Sequence, residues 1–81
     1  MAYFVYILQC RDGTFYTGTT NDIPQRLETQ ASGKGSKYVR SRLPVKLIYR
    51  EELPDKNTAL AREWQIKSWS RAQKIKNLKL L

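Results

Sequence analysis

The chain has 81 residues, with fifteen Lys and Arg against seven Asp and Glu, one Cys and no His. That length suits one small domain, residues 1–81, with a limited core. The lone Cys10 excludes an internal disulfide, and the missing histidine excludes His-based nucleases, His-containing triads and histidine zinc sites.

In chain order, residues 3–10 alternate β-branched and aromatic side chains and predict a strand. Arg11, Asp12 and Gly13 form a turn, and residues 14–19 return as a second strand. Asn21 or Asp22 caps a helix, Pro24 suits its first turn, and Gly33 ends it. Ile23, Leu27 and Ala31, at i+4 spacing, are its expected buried stripe. The polar stretch SGKGSKYVRSR follows, with room for one short helical turn. Residues 45–52 predict a third strand, ended by Leu53 and Pro54. Asp55 caps a longer helix running to about Trp69, and Ser70 with Gln73 has the form of a capping box that opens a last helix. The order β-β-α-β-α-α predicts an α+β fold, a small three-stranded antiparallel sheet flanked by helices.

The start, MAYF, lacks the basic region of a secretory signal, and the apolar run over residues 2–8 falls far short of the roughly 20 residues a spanning helix needs. A cytoplasmic protein without a membrane partner is expected. The formal charge of +8 favours a polyanion, with nucleic acid ahead of anionic lipid. Between Glu28 and Glu51 no acid occurs, while Lys34, Lys37, Arg40, Arg42, Lys46 and Arg50 do. This segment, with Lys34, Lys37, Arg40 and Arg42 at its centre, is the expected nucleic-acid-binding surface. After Glu63 the chain is again free of acids.

The hairpin poses a register problem. A two-residue Asp12-Gly13 turn places Tyr6 and Tyr16 on opposite faces, because strand side chains alternate. A three-residue loop with Gly13 in the left-handed region pairs Leu8 with Tyr16 and Tyr6 with Gly18, and both phenols then share a face. Both turns satisfy the local chemistry.

Two charged residues stand out on the helices. Arg26 flanks the stripe of the first helix. Glu63 is i+4 from Ala59 and i−3 from Ile66, on a helix whose expected apolar positions are Ala59, Leu60, Trp64 and Ile66, with Trp69 at its end. A carboxylate there needs a partner: a metal, or a cation such as Arg26 in a buried ion pair. The acids show no clustered pair of the kind two-metal nucleases use.

Phe4-Val5-Tyr6 followed by Tyr16-Thr17-Gly18 resembles the paired signature of the GIY-YIG nuclease superfamily. The resemblance continues through Arg26 in PQRL, through GKGSKYVRSRLPVKLIY, and to Glu63 in ALAREWQIK. It covers nearly the whole chain and is strongest to the small stand-alone bacterial members. It implies one divalent metal, Mg2+ or Mn2+, and hydrolysis of a DNA phosphodiester. Carried over, Tyr6 and Tyr16 match the signature tyrosines and Gly18 the signature glycine. Arg26 matches the arginine on the scissile phosphate, and Glu63 the metal-binding glutamate. Tyr6 is favoured as the water-activating phenol with Tyr16 holding phosphate or water, although exchanged roles fit the same pattern. The resemblance also selects the three-residue loop.

Three positions depart from the pattern. Phe4 replaces a glycine, Gln30 stands where many members carry a histidine, and Asn77 is not a secure counterpart of a late asparagine. The expected function is a metal-dependent DNA endonuclease acting on structured or damaged DNA in repair or recombination. The alternatives are a catalytically weak or inactive nucleic-acid-binding module of the same fold, and a basic subunit that takes its specificity from a protein partner.

Overall fold

In a computed structural model, which describes residues 2–80, strand β1 (Tyr3–Cys10) lies at the centre of an antiparallel sheet ordered β2-β1-β3. Strands β2 (Phe15–Thr20) and β3 (Val45–Leu53) flank it. Val5, Tyr6, Ile7 and Leu8 are buried in succession, because helices cover both faces of this strand. On one face Val5 and Ile7 meet Ala59 and Ile66 of α3 (Lys56–Lys67), with Trp69, and Leu78 of α4 (Arg71–Leu78), packed around them. On the other, Tyr6 and Leu8 meet Ile23 and Leu27 of α1 (Ile23–Ala31) and Val39 of α2 (Lys37–Arg40). The result is an α+β domain with a helix pair on each side of a three-stranded sheet. Strand β3 serves both cores through a bulge. Its register shifts between Ile7 and Leu8, which leaves Ile48 as the extra residue and lets Leu47 and Tyr49 face opposite layers.

The hairpin is the three-residue form. Gly13 N–H donates to Cys10 O at 2.9 Å, Gly13 has φ +85°, and Cys10 N–H donates to Thr14 O at 2.8 Å. Tyr6 then pairs with Gly18 and Leu8 with Tyr16, and the returning strand begins at Phe15. Asp12 fixes the loop, accepting from Thr14 N at 3.1 Å, Thr14 Oγ1 at 2.6 Å and Arg42 Nε at 3.1 Å.

Helix boundaries follow their caps. Asp22 Oδ1 accepts from Gln25 N, Asp55 from Thr58 N, and Ser70 with Gln73 forms a reciprocal capping box. Gly33, at φ +82°, follows the Ser32 cap of α1, with Lys34 N–H returning to Thr29 O.

Two expected faces are corrected. Ala31 is exposed, and the third buried position of α1 is Gln30, whose polar amide is accepted in the interior because both its ends find partners. On α3 the buried residues are Ala59 and Ile66, with Glu63 half-buried on the line between them; Leu60 and Trp64 lie beside it and are exposed. The helix itself ends at Lys67, short of Trp69, because Ser68 caps it.

Candidate active site

The shared face of the hairpin brings Tyr6 and Tyr16 together, with ring centroids 6.5 Å apart and planes tilted by 43°. Tyr38 of α2 extends the row, 6.1 Å from Tyr16. Tyr6 is buried and Tyr16 half-buried, so the row runs from the core to the open edge of β2. Gly18 makes this possible. A Cβ built there would lie 2.5 Å from Tyr6 Oη and 2.7 Å from its Cζ, so only glycine leaves room for the phenol. Gly18→Ala is therefore expected to push a rigid ring out of a closed pocket. A loss of about 1–3 kcal/mol, as for an overpacked core, should appear as an earlier thermal melt.

Gln30 holds the other side of the phenol. Ser36 N–H donates to Gln30 Oε1 at 3.1 Å, which fixes the amide so that Nε2 donates to Tyr6 Oη at 3.4 Å. Gly35 lets this loop close over the amide, since a Cβ there would collide with Gln30 Oε1 and Cδ. The family resemblance marked Gln30 only as standing where many members carry a histidine; that its amide ties Tyr6 to the GKGSK segment needed the loop's path.

Tyr6 feels charges from three other elements. Burial pushes its phenol above the ordinary value and the Gln30 hydrogen bond opposes this; Tyr16 and Glu63 add to the rise, and Arg26 lowers it. Thus Tyr6, Tyr16, Arg26 and Glu63, from β1, β2, α1 and α3, lie within electrostatic reach of one hydroxyl. Arg26 is exposed and has no carboxylate within 4.0 Å among the described residues. It does not pair with Glu63. Glu63 instead meets Lys67 at 3.4 Å, its side chain 18% exposed and that of Lys67 50% exposed. Lys67 was missed in the sequence, although its i+4 spacing from Glu63 is the available signal.

The central basic segment divides. Lys34, Lys37 and Arg40 are exposed and lack carboxylate partners within 4.0 Å among the described residues. Arg42 is committed to Asp12, to the Tyr38 and Ser41 oxygens, and to the Tyr38 ring, its guanidinium carbon 3.9 Å from the ring centroid.

A three-stranded α+β domain with paired phenols on its sheet, and a guanidinium and a carboxylate within electrostatic reach of one of them, defines a class. The chain belongs to the GIY-YIG catalytic domain family, a nuclease family whose model matches residues 2–76. It is 45% identical over 74 residues to the UPF0213 protein SH2523 of Staphylococcus haemolyticus, covering 91% of this chain and 90% of that one. It is likewise 46% identical over 76 residues to the UPF0213 protein SAG0778 of Streptococcus agalactiae, covering 94% and 86%. Two solution NMR structures share the fold. The UPF0213 protein BH0048 of Bacillus halodurans matches with a TM-score of 0.64 at 42% identity, over 99% of this chain and 85% of that one. The E. faecalis protein EF2693 matches at 0.69 and 36%, over 98% and 84%.

Proposed function

We propose that this protein is a divalent-metal-dependent DNA endonuclease of the cytoplasm, acting on structured or damaged DNA in repair or recombination. The observation that carries this reading is the Tyr6–Tyr16 pair seated over Gly18, with Arg26 and Glu63 within electrostatic reach of the Tyr6 hydroxyl.

The donor set suits a magnesium or manganese ion. Among the described residues no three His, Cys, Asp or Glu side chains cluster, so Glu63 would be the protein's carboxylate ligand. Hard cations of this kind keep much of their water and bind through one or two carboxylates plus substrate phosphates. When bound, the metal supplies a Lewis acid for the phosphoryl oxygens and positive charge against Glu63.

The remaining roles fall to the chain. Arg26, exposed and without a carboxylate within 4.0 Å among the described residues, neutralises a non-bridging phosphate oxygen as charge develops. Burial raises the pKa of Tyr6, while the hydrogen bond its Oη accepts from Gln30 Nε2, together with Arg26, favours the phenolate; as the phenolate, Tyr6 would take the proton of the attacking water. Tyr16, nearer the open edge, holds phosphate or water. Gln30 cannot relay that proton as a histidine would; it positions the phenol.

The test is cleavage of branched, nicked and single-stranded DNA with magnesium, with manganese and with chelator. Metal-dependent scission supports the enzyme. Binding without scission under every condition would instead assign the chain to the nucleic-acid-binding alternative, which the Gln30 substitution favours.

DNA affinity is expected to depend on salt through Lys34, Lys37 and Arg40. Each phosphate contact releases condensed counterions and adds about −0.9 to the logarithmic salt slope on duplex DNA. Replacing all three with Ala should flatten the slope by up to about 2.7. Arg42→Ala should change it little, because that charge already serves Asp12. An unchanged slope in the triple variant would place binding on the α4 lysines.

A further inference from the structure

Helix α3 turns an indole into solvent. Trp64 is 78% exposed, with Leu60 one turn earlier at 41%. Neither contributes to the two cores, so packing does not explain the tryptophan. Trp64 lines a shallow groove of about 250 Å³ with Lys67 and Ser68. Lys67 also lines the adjoining groove, about 230 Å³, along the open edge of β2 with Tyr16, Tyr38 and Lys74. The two hollows join at Lys67, whose Nζ is 3.4 Å from Glu63. An aromatic platform and two ammonium groups therefore border the proposed active site.

The charges around Trp64 select its occupant. Lys74 has no carboxylate within 4.0 Å among the described residues. Burial and the neighbouring Lys67 charge hold it below the ordinary lysine range, so an anion between the two lysines relieves a repulsion. From Trp64 onward the chain carries Lys67, Arg71, Lys74, Lys76 and Lys79 and no acid. A second copy seated on this face would bring two such cationic surfaces together, which is costly. A polyanion offering a flat apolar face fits both features. Bases inside a duplex are covered by their neighbours, whereas a base in an unpaired strand can stack on an indole.

We propose that an unpaired DNA strand runs along the β2 edge, one base stacked on Trp64 and its phosphates on Lys67 and Lys74. Resting on the nuclease reading, this makes the substrate DNA with a single-stranded segment next to the scissile phosphodiester.

The test is equilibrium binding in chelator, by fluorescence anisotropy, of an oligothymidine and of a duplex of equal length. Trp64→Ala should weaken oligothymidine binding about 5- to 150-fold, the range for losing one base–aromatic stack. Trp64→Phe should restore part of it. The salt slope and duplex affinity should stay unchanged, because no phosphate contact is removed. Equal losses on both DNAs, or no loss on oligothymidine, would overturn the proposal. So would a wild-type dimer in sedimentation that Trp64→Ala dissolves, which would seat a second copy on the patch. The outcome is separable from catalysis: Trp64-dependent binding by a protein that cleaves nothing removes the nuclease reading, and with it the substrate assignment, but leaves the strand-binding site standing.

Discussion

Glu63→Gln is expected to lower metal-dependent cleavage by orders of magnitude while the protein melts within a few degrees of the parent. The first half follows from the proposed ligand role: removing the carboxylate charge removes a Lewis acid worth several kcal/mol to the transition state, and each 1.36 kcal/mol is about tenfold in rate. The second half follows from the structure. Stranding one partner of a deeply buried ion pair costs roughly 3–5 kcal/mol. The actual partner of Glu63 is Lys67, half in water and one turn away, and such helix pairs contribute only about 0.3–0.5 kcal/mol. In a domain of this size that corresponds to roughly 1–4 °C in melting temperature. DNA affinity should hold or rise slightly, since Lys67 is released from its carboxylate. A folded Glu63→Gln protein that cleaves as well as the parent would remove Glu63 from the mechanism. A protein that melts 15 °C earlier would instead make Glu63 structural.

Much of the fold was legible because local signals agreed. The alternating pattern of residues 3–10, the caps Asp22, Asp55 and Ser70, and Gly33 past the first helix each specify a boundary, and the structure keeps them. The register was not decided by spacing, because Asp12-Gly13 satisfies a two-residue turn equally well. The Asp12–Arg42 ion pair and the packing of Tyr6 against Gly18 are contacts across the fold that a local reading does not contain.

The errors share one cause. Hydropathy at helical spacing assigned Ala31, Leu60 and Trp64 to buried faces. Gln30 displaced Ala31 because tertiary partners made its amide at home in the core. Leu60 and Trp64 lie outside because Ala59 and Ile66 define the line that meets the sheet. Apolar character alone cannot rank competing stripes on one helix. The candidate site was legible as types in order, Tyr, Tyr, Arg, Glu. Its supports, Gln30, Gly35 and Lys67, were not, because each acts through a neighbour defined by the loop's path or the helix's rotation.

Tyr6→Phe separates a proton acceptor from a packed ring. The ring contacts with Leu8, Ile23 and Val39 survive the change, so the loss is confined to one hydroxyl and its partner. Gln30 Nε2 then faces a buried edge without an acceptor, an unmet donor costing about 1–3 kcal/mol. The melt should fall visibly, by roughly 4–24 °C. Assayed well below that melt, cleavage should still drop about 10²–10⁴-fold, the range for losing a general base, while DNA binding persists. Tyr16→Phe is the matched control: Tyr16 is half-buried and nearer the groove, so its hydroxyl leaves no comparable orphan in the core. It should melt close to the parent and lose less activity than Tyr6→Phe. The opposite ranking, with Tyr16→Phe nearly inactive in cleavage and Tyr6→Phe merely unstable, would transfer the proton to Tyr16 and leave Tyr6 as the buried post that holds the loop through Gln30.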